Sequence, residues 1–153
     1  DLVTNALRMR PDRIVVGECR GGEAFDMIQA MMTGHEGSLT TVHSSNAREA
    51  TTRLRSMIQQ TGTEMRSEQI MELIASAIDF IVFVNRYEIA EVQGMQGDVI
   101  TIGTIMRFEQ TGFSEDGKVL GEFMPTGERI TPAHREKLFA RGVYVDDDFW
   151  FRR

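Results

Sequence analysis

The sequence predicts an α/β protein in which a parallel-sheet core is followed by an antiparallel β appendix. Two short runs containing apolar and β-branched residues, "RIVVGE" at 13–18 and "SLTTVHSS" at 38–45, read as strands. Segments of helical period stand before, between and after them, which implies parallel strands joined by right-handed crossovers. Beyond about residue 86 the period changes to two, with turn residues at hairpin spacing.

Taken in order, apolar residues at 2, 3, 6, 7 and 9 predict a helix that stops before Pro11. The first strand runs from Arg13 to Glu18. In "GEAFDMIQAMMTG", Ala24, Phe25, Ile28, Met31 and Met32 lie at core-facing spacing and Gly34 ends the helix. This crossover is expected to bury Phe25, Ile28 and Met32 against one face of the sheet. Leu39 to His43 forms the second strand, parallel to the first. Asn46 followed by Glu49 has a spacing related to the capping box and opens a helix to about Gln60. Thr61 to Met65 is a loop, Ser67 an N-cap, and "EQIMELIASAI" a helix with Ile70, Leu73, Ile74 and Ile78 inward. "DFIVFVNRYEIAEV" reads as a strand that closes an α-β-α-β-α-α-β series.

In the appendix, residues 86–112 alternate around a turn at Asp98, and Asp116–Gly117 is a hairpin turn between two further strands. Pro132 at the first helical position opens a helix that Gly142 closes. The aromatic and acidic tail, 143–153, has no assignable element. The expected division is 1–88 for the α/β core and 89–153 for the appendix.

Bulk properties narrow the function. A chain of 153 residues has the size of one domain and can bury a sizeable core. No run approaches the roughly 18 apolar residues of a membrane span, and no signal peptide opens the chain. A single cysteine, Cys19, excludes an internal disulfide framework and fits a reducing compartment. A net charge of −6 argues against nucleic acid as the main partner. The chain starts at Asp1, without an initiator methionine, inside a helical pattern, so a piece of a longer protein is expected.

In an open parallel sheet, ligands bind beyond the carboxyl ends of the strands. The first strand delivers Glu18 there and the second delivers His43, and one crossover helix separates them. Both tips therefore fall on one sheet edge, where a carboxylate and an imidazole can flank one substrate. The turn "GECRGGEA" imitates a phosphate-cradling loop in its G-x-x-x-x-G spacing but continues with Glu23 and Ala24. A carboxylate in place of lysine repels phosphate, and alanine has no hydroxyl for magnesium, so this is not a P-loop. Zinc chemistry is disfavoured, because His35 and His43 are eight residues apart across a loop and strand rather than four apart on a helix. Ser38 in "GHEGS" lacks the glycine-flanked elbow of a serine nucleophile.

Residues 7–54, from "LRMRPDRIVVGECRGGEA" through "TGHEGSLTTVHSSNAREATTRL", strongly resemble the secretion ATPases of type II and type IV systems. Within them the chain looks most like the CpaF type, which powers assembly of tight-adherence pili. "RPDRIVVGECRGGEA" matches that family's Walker B region, with Gly17 where an aspartate usually stands, and "TGHEGSLTTVHSSNAREA" matches its histidine box. "RFEQTGFSEDGKVLGEFMPTG" in the appendix resembles the CpaF type as well.

The resemblance implies a RecA-like P-loop NTPase core working as a homo-hexamer, in the cytoplasm at the inner face of the cell membrane, against an inner-membrane secretion or pilus platform protein. It implies ATP as substrate and Mg2+ as cofactor. Glu18 and His43 would be catalytic: Glu18 would act on water beside the γ-phosphate and reach the metal only indirectly, through water or phosphate, and His43 would contact the γ-phosphate side. Arg8, Arg20 and His35 would belong to the nucleotide site. One departure is large. No G-x-x-x-x-G-K-[ST] occurs in these residues, nor the acidic box expected before Walker B, so the chain corresponds to the C-terminal half of a motor domain and should bind ATP poorly alone. The alternative is a non-enzymatic ring-assembly or docking module without nucleotide binding.

Overall fold

The computed structural model describes residues 2–84, 88–97 and 99–151. The order of elements is α1 (Leu2–Arg8), β1 (Val15–Val16), α2 (Glu23–Met32), β2 (Leu39–Thr40), α3 (Ala47–Gln59) and α4 (Ser67–Ala77). It continues with β3 (Phe80–Phe83), β4 (Glu88–Gln96), β5 (Val99–Phe113), β6 (Val119–Pro125) and α5 (Pro132–Ala140), and ends in a 3₁₀ turn over Asp147–Phe151. The α/β class with an antiparallel appendix is as the sequence predicts: β1 and β2 are parallel, and β3-β4-β5-β6 form a second, antiparallel sheet. The chain divides into two compact units, Asp1–Ile78 with Gly94–Thr101, and Asp79–Gln93 with Ile102–Arg153.

In the first unit β1 and β2 pair in register Val15↔Leu39 and Val16↔Thr40. The regular ladder is shorter than the two strands read from the sequence. Single bonds extend it: Leu39 N donates to the Ile14 carbonyl and Cys19 N to the Thr41 carbonyl, both at 2.9 Å. Side chains lock the same register, with Ile14 N on Ser38 Oγ at 2.9 Å and Thr41 Oγ1 on the Gly17 carbonyl at 2.6 Å.

Helices α2, α3 and α4 pack on one another. The stripe that α2 buries is Ala24, Met27, Ile28 and Ala30. Ile28 is inward as expected, but Phe25 is only half-buried and Met32 is exposed. Met27, next to Ile28, takes the interior place, which rotates the buried stripe away from Met32. Helix α3 starts on Asn46, whose side chain accepts from Glu49 N at 2.8 Å. The reciprocal bond goes elsewhere: the Glu49 carboxylate takes Ser45 N at 3.2 Å and the Ser45 hydroxyl. Helix α4 buries Ile70, Met71 and Ile74, with Leu73 and Ile78 half-buried, and its N-cap is Arg66 rather than Ser67.

Strand β3 departs from its expected place. It pairs antiparallel with β4, from Phe80↔Glu91 to Phe83↔Glu88, so it belongs to the second sheet and does not close the parallel series. Within β3, Val82 is exposed and only Phe83 is buried. The part of the expected continuous strand at 85–87, and the turn expected at Asp98, lie outside the described residues. The hairpin at Asp116–Gly117 is present: Gly117 takes φ +80° and Ser114 N donates to the Lys118 carbonyl at 2.8 Å. Pro132 opens α5, and Gly142, at φ +76°, follows its end.

The second unit's core gathers Ile105, Ile130 and Trp150, with Ile89, Met106, Leu138 and Val145 packed around them. Helix α5 buries no residue completely and is also tied down by charge. His134 places Nδ1 2.5 Å from Oε1 of the fully buried Glu91 and Nε2 2.8 Å from Asp79 Oδ1. Thr131 donates its N–H to Glu91 Oε1 at 2.8 Å, and Lys137 Nζ donates to Asp79 Oδ1 at 2.7 Å.

Burial pushes the Asp79 carboxyl up, but the hydrogen bonds and charges of Lys137 and His134 outweigh it and leave it below the ordinary aspartate range. A carboxyl depressed by folding stabilises above its unfolded value, about pH 3.9, and that contribution fades as pH falls through the lower folded value. Wild type is therefore expected to be more stable than Asp79→Asn near neutrality, with the gap closing below about pH 4. Acid unfolding of both variants, followed by circular dichroism, checks this; a gap constant down to pH about 2 contradicts it.

Candidate active site

The site lies in the first unit, where two strand tips are held together by the bonds that set the register. Beyond β1 the chain passes Gly17 and presents Glu18; beyond β2 it passes Thr41 and presents His43. Glu18 Oε1 stands 3.2 Å from His43 Nε2, and Glu18 Oε2 stands 2.5 Å from Arg20 Nη2. The shared edge expected from a parallel pair thus brings Glu18, His43 and Arg20 into one cluster. Their exposure differs in a useful way. The Glu18 side chain is 21% exposed, whereas Arg20 and His43 are 76% and 81% exposed. The carboxylate is fixed at the base while its two partners reach into solvent, as a site meeting a ligand from outside requires.

The Arg20 hydrogen bond, followed by the charges of Arg20, His43 and Arg53, holds the Glu18 carboxyl below its usual range against partial desolvation. Glu18 is therefore an ionised hydrogen-bond acceptor at neutral pH. Arg53, on α3, is a cation of this site that motif reading did not single out; its place one helix beyond the histidine carries no spacing signal. Behind Glu18, Cys19 is buried with Sγ 3.3 Å from Thr40 Oγ1, and burial pushes its thiol up, so it is packing rather than a nucleophile.

The glycine turn is closed from within. Glu23 Oε1 accepts the N–H of Arg20 at 2.6 Å and of Gly21 at 3.0 Å. Those are two of the donors that a phosphate-cradling loop would offer its ligand, and here a carboxylate has taken them. The turn's chemistry thus matches its sequence, which lacks the P-loop lysine.

His35 and Arg8 stand apart from this cluster. His35 lies in the turn before β2, where its carbonyl accepts the Ser38 hydroxyl at 2.6 Å and its Nδ1 is buried without a partner. Arg8 ends α1, exposed, and joins none of the ion pairs of Glu18. Among the described residues no group of three or more His, Cys, Asp or Glu side chains is arranged to hold a metal ion. Glu18 is the one carboxylate of the cluster; its Oε2 meets the Arg20 guanidinium and its Oε1 stands beside the His43 imidazole. That set fits Mg2+ held through water and phosphate, which this ion prefers, and does not fit a cage built by the protein alone.

Residues 1–109 match the family model described as "Type II/IV secretion system protein". The conjugal transfer protein TrbB of Rhizobium radiobacter is 43% identical over 85 residues, covering 56% of this chain and 25% of that protein. The type IV secretion system protein VirB11 of Bartonella quintana is 41% identical over 90 residues, covering 58% and 25%. A relative in Mycobacterium tuberculosis is 35% identical over 131 residues, covering 80% and 36%, so that match reaches into the appendix. Among solved structures, the VirB11 ATPase of the Brucella suis type IV secretion system, in complex with sulphate, superposes with a TM-score of 0.52 at 32% identity. It covers 67% of this chain and 30% of that one. The chain spans a quarter to about a third of the length of the curated relatives it matches.

Proposed function

This chain belongs to the type II/IV secretion system protein family, and from that premise we propose that it is part of a hexameric ATPase of the CpaF type. Its hydrolysis of ATP drives pilus assembly or protein secretion. The observation that carries this reading is the single carboxylate Glu18, fixed on a strand tip between the exposed donors His43 and Arg20. Phosphoryl transfer to water needs positioning and electrostatic stabilisation more than covalent chemistry, and this cluster supplies both.

In this reading Glu18 orients or deprotonates the attacking water, as the glutamate of a Walker B strand. His43 donates to the γ-phosphate side, and Arg20 balances phosphate charge. Arg8 acts from across a subunit boundary, and His35 supports the histidine box. Mg2+ arriving with ATP would be reached by Glu18 only indirectly, through water or phosphate, and would supply neutralisation of phosphate charge. Residues 1–88 carry the nucleotide-facing half and 89–153 the appendix. The ring stands in the cytoplasm, on a platform protein of the inner membrane. No helix among the described residues is long and apolar enough to cross a membrane.

No Walker A sequence, the loop that grips most of the phosphates in P-loop enzymes, occurs in this chain. The full-length protein is expected to release phosphate from ATP in the presence of Mg2+, whereas residues 1–153 alone give little heat on ATP titration and no turnover. Micromolar ATP binding by residues 1–153 alone would place the nucleotide elsewhere. A full-length protein that neither binds nor hydrolyses ATP would leave the docking module as the better reading.

A further inference from the structure

We propose that Glu23 is a positioning residue for the Glu18 cluster, closing the turn 20–23 so that the Arg20 guanidinium lands on Glu18. The inference rests on the functional reading above and adds to it a residue that spacing alone marks only as the first of a helix. The geometry is specific. Glu23 does not point along solvent at the N-terminus of α2 but folds back, and Oε1 alone receives the N–H of Arg20 and of Gly21. Gly22, the N-cap, offers no side chain to do this. These bonds fix the backbone of Arg20, and its side chain returns to Glu18 Oε2.

The two glycines between them are explained by the same clip. A Cβ on Gly21 would stand 3.3 Å from Glu23 Oε2, and one on Gly22 would stand 3.1 Å from Thr61 Cγ2. Side chains at these positions would crowd the carboxylate or lift the turn off the loop that follows α3. The G-G-E sequence is therefore a unit: the glycines make room, and the glutamate fastens. Its consequence reaches Glu18 through the Arg20 side chain, because a guanidinium displaced by about 1 Å loses its hydrogen bond to the catalytic carboxylate and orients it less well.

The test uses the full-length assembled protein, with Glu23→Ala, Glu23→Gln and Glu18→Gln prepared together. Phosphate release gives kcat and KM for ATP, and hydrogen exchange reports the amides of Arg20 and Gly21. Glu23→Ala is expected to lower kcat about tenfold, with KM for ATP within about twofold, and to speed exchange at both amides. Glu23→Gln keeps an oxygen that accepts both N–H groups and should recover most of kcat and the slow exchange. Should Glu23→Ala not fold, Glu23→Asp, one methylene too short for the clip, carries the same expectation. Wild-type kcat with accelerated exchange overturns the inference, as does equal impairment of the alanine and glutamine variants. An active Glu18→Gln overturns the functional reading as well; an inactive Glu18→Gln beside a fully active Glu23→Ala overturns this inference alone.

Discussion

Replacing Glu18 by glutamine is expected to lower ATP turnover of the full-length protein by about 10²-fold or more, the scale of lost acid–base assistance. The change preserves size but removes the negative charge and one acceptor. In the wild type one carboxylate oxygen faces the Arg20 Nη2 donor at 2.5 Å and the other stands 3.2 Å from His43 Nε2. A carboxamide offers one oxygen and one NH2, so only one of these contacts survives with its sense intact. The amide oxygen should stay with Arg20, because a guanidinium is always a donor, and the NH2 then meets His43. Nucleotide affinity should change little, since this cluster lacks the Walker A loop that makes most phosphate contacts in P-loop enzymes. Easing of repulsion towards the γ-phosphate should show as a slight tightening. Phosphate release and binding of a fluorescent ATP analogue, measured on the same samples, separate the two effects. Unchanged turnover, or lost binding with it, contradicts the catalytic role.

The heart of this cluster was legible before any coordinates, and for a physical reason. Parallel strands joined by one crossover must end on the same side, so Glu18 and His43 meet through topology alone. Sequence spacing carries no such guarantee for side chains that fold back on their own turn. Glu23 reads as a first-turn carboxylate favoured by the helix dipole, for which glutamine would cost a few tenths of a kcal/mol and leave turnover nearly intact. Its hydrogen bonds to Arg20 and Gly21 depend on the conformation of four residues, which periodicity does not encode. Glutamine there keeps an oxygen that accepts both N–H groups, so the tolerance expected of Glu23→Gln rests on acceptor geometry. No local pattern ties Arg53 to Glu18, because its charge acts through space from an exposed position on α3.

The fold divides in the same way. Caps, turns and helix ends follow from one or two residues, and Asn46, Gly117, Pro132 and Gly142 all sit where their chemistry places them. The structure departs from the sequence pattern where two assignments have nearly equal apolar content. On α2, Met31, Met32 and Met27 are interchangeable by composition, and packing against α3 and α4 chose Met27. At β3 a continuous apolar run fits a central parallel strand and an antiparallel edge strand equally well, and only pairing with β4 decides.

The tail illustrates the limit most sharply and gives the largest stability effect. Residues 143–153 alternate poorly and carry no assignable element, yet Trp150 in the 3₁₀ turn is 5% exposed beside Ile105 and Ile130. A 3₁₀ turn is too short to show a period, so one buried aromatic is its only signature. The core it completes is small, with α5 burying no residue fully, and little else is available to close over a vacated indole. Trp150→Ala should therefore destabilise the second unit by about 3–5 kcal/mol, the cost of a large aromatic lost from a core that cannot collapse. Phe139→Ala on α5 is the comparison, since that ring is 62% exposed and packs edge-on to Tyr144 at 5.1 Å; it should cost no more than about 1.5 kcal/mol. Trp150 is the one tryptophan of the chain, so fluorescence is lost with it, and native-state hydrogen exchange of β5 and β6 amides in the full-length protein is the measurement. Amides of β5 should lose most of their protection in Trp150→Ala while those of α2 to α4 keep theirs. Protection in β5 within about 1 kcal/mol of wild type would mean that Ile105 and Ile130 hold the sheet without the tail.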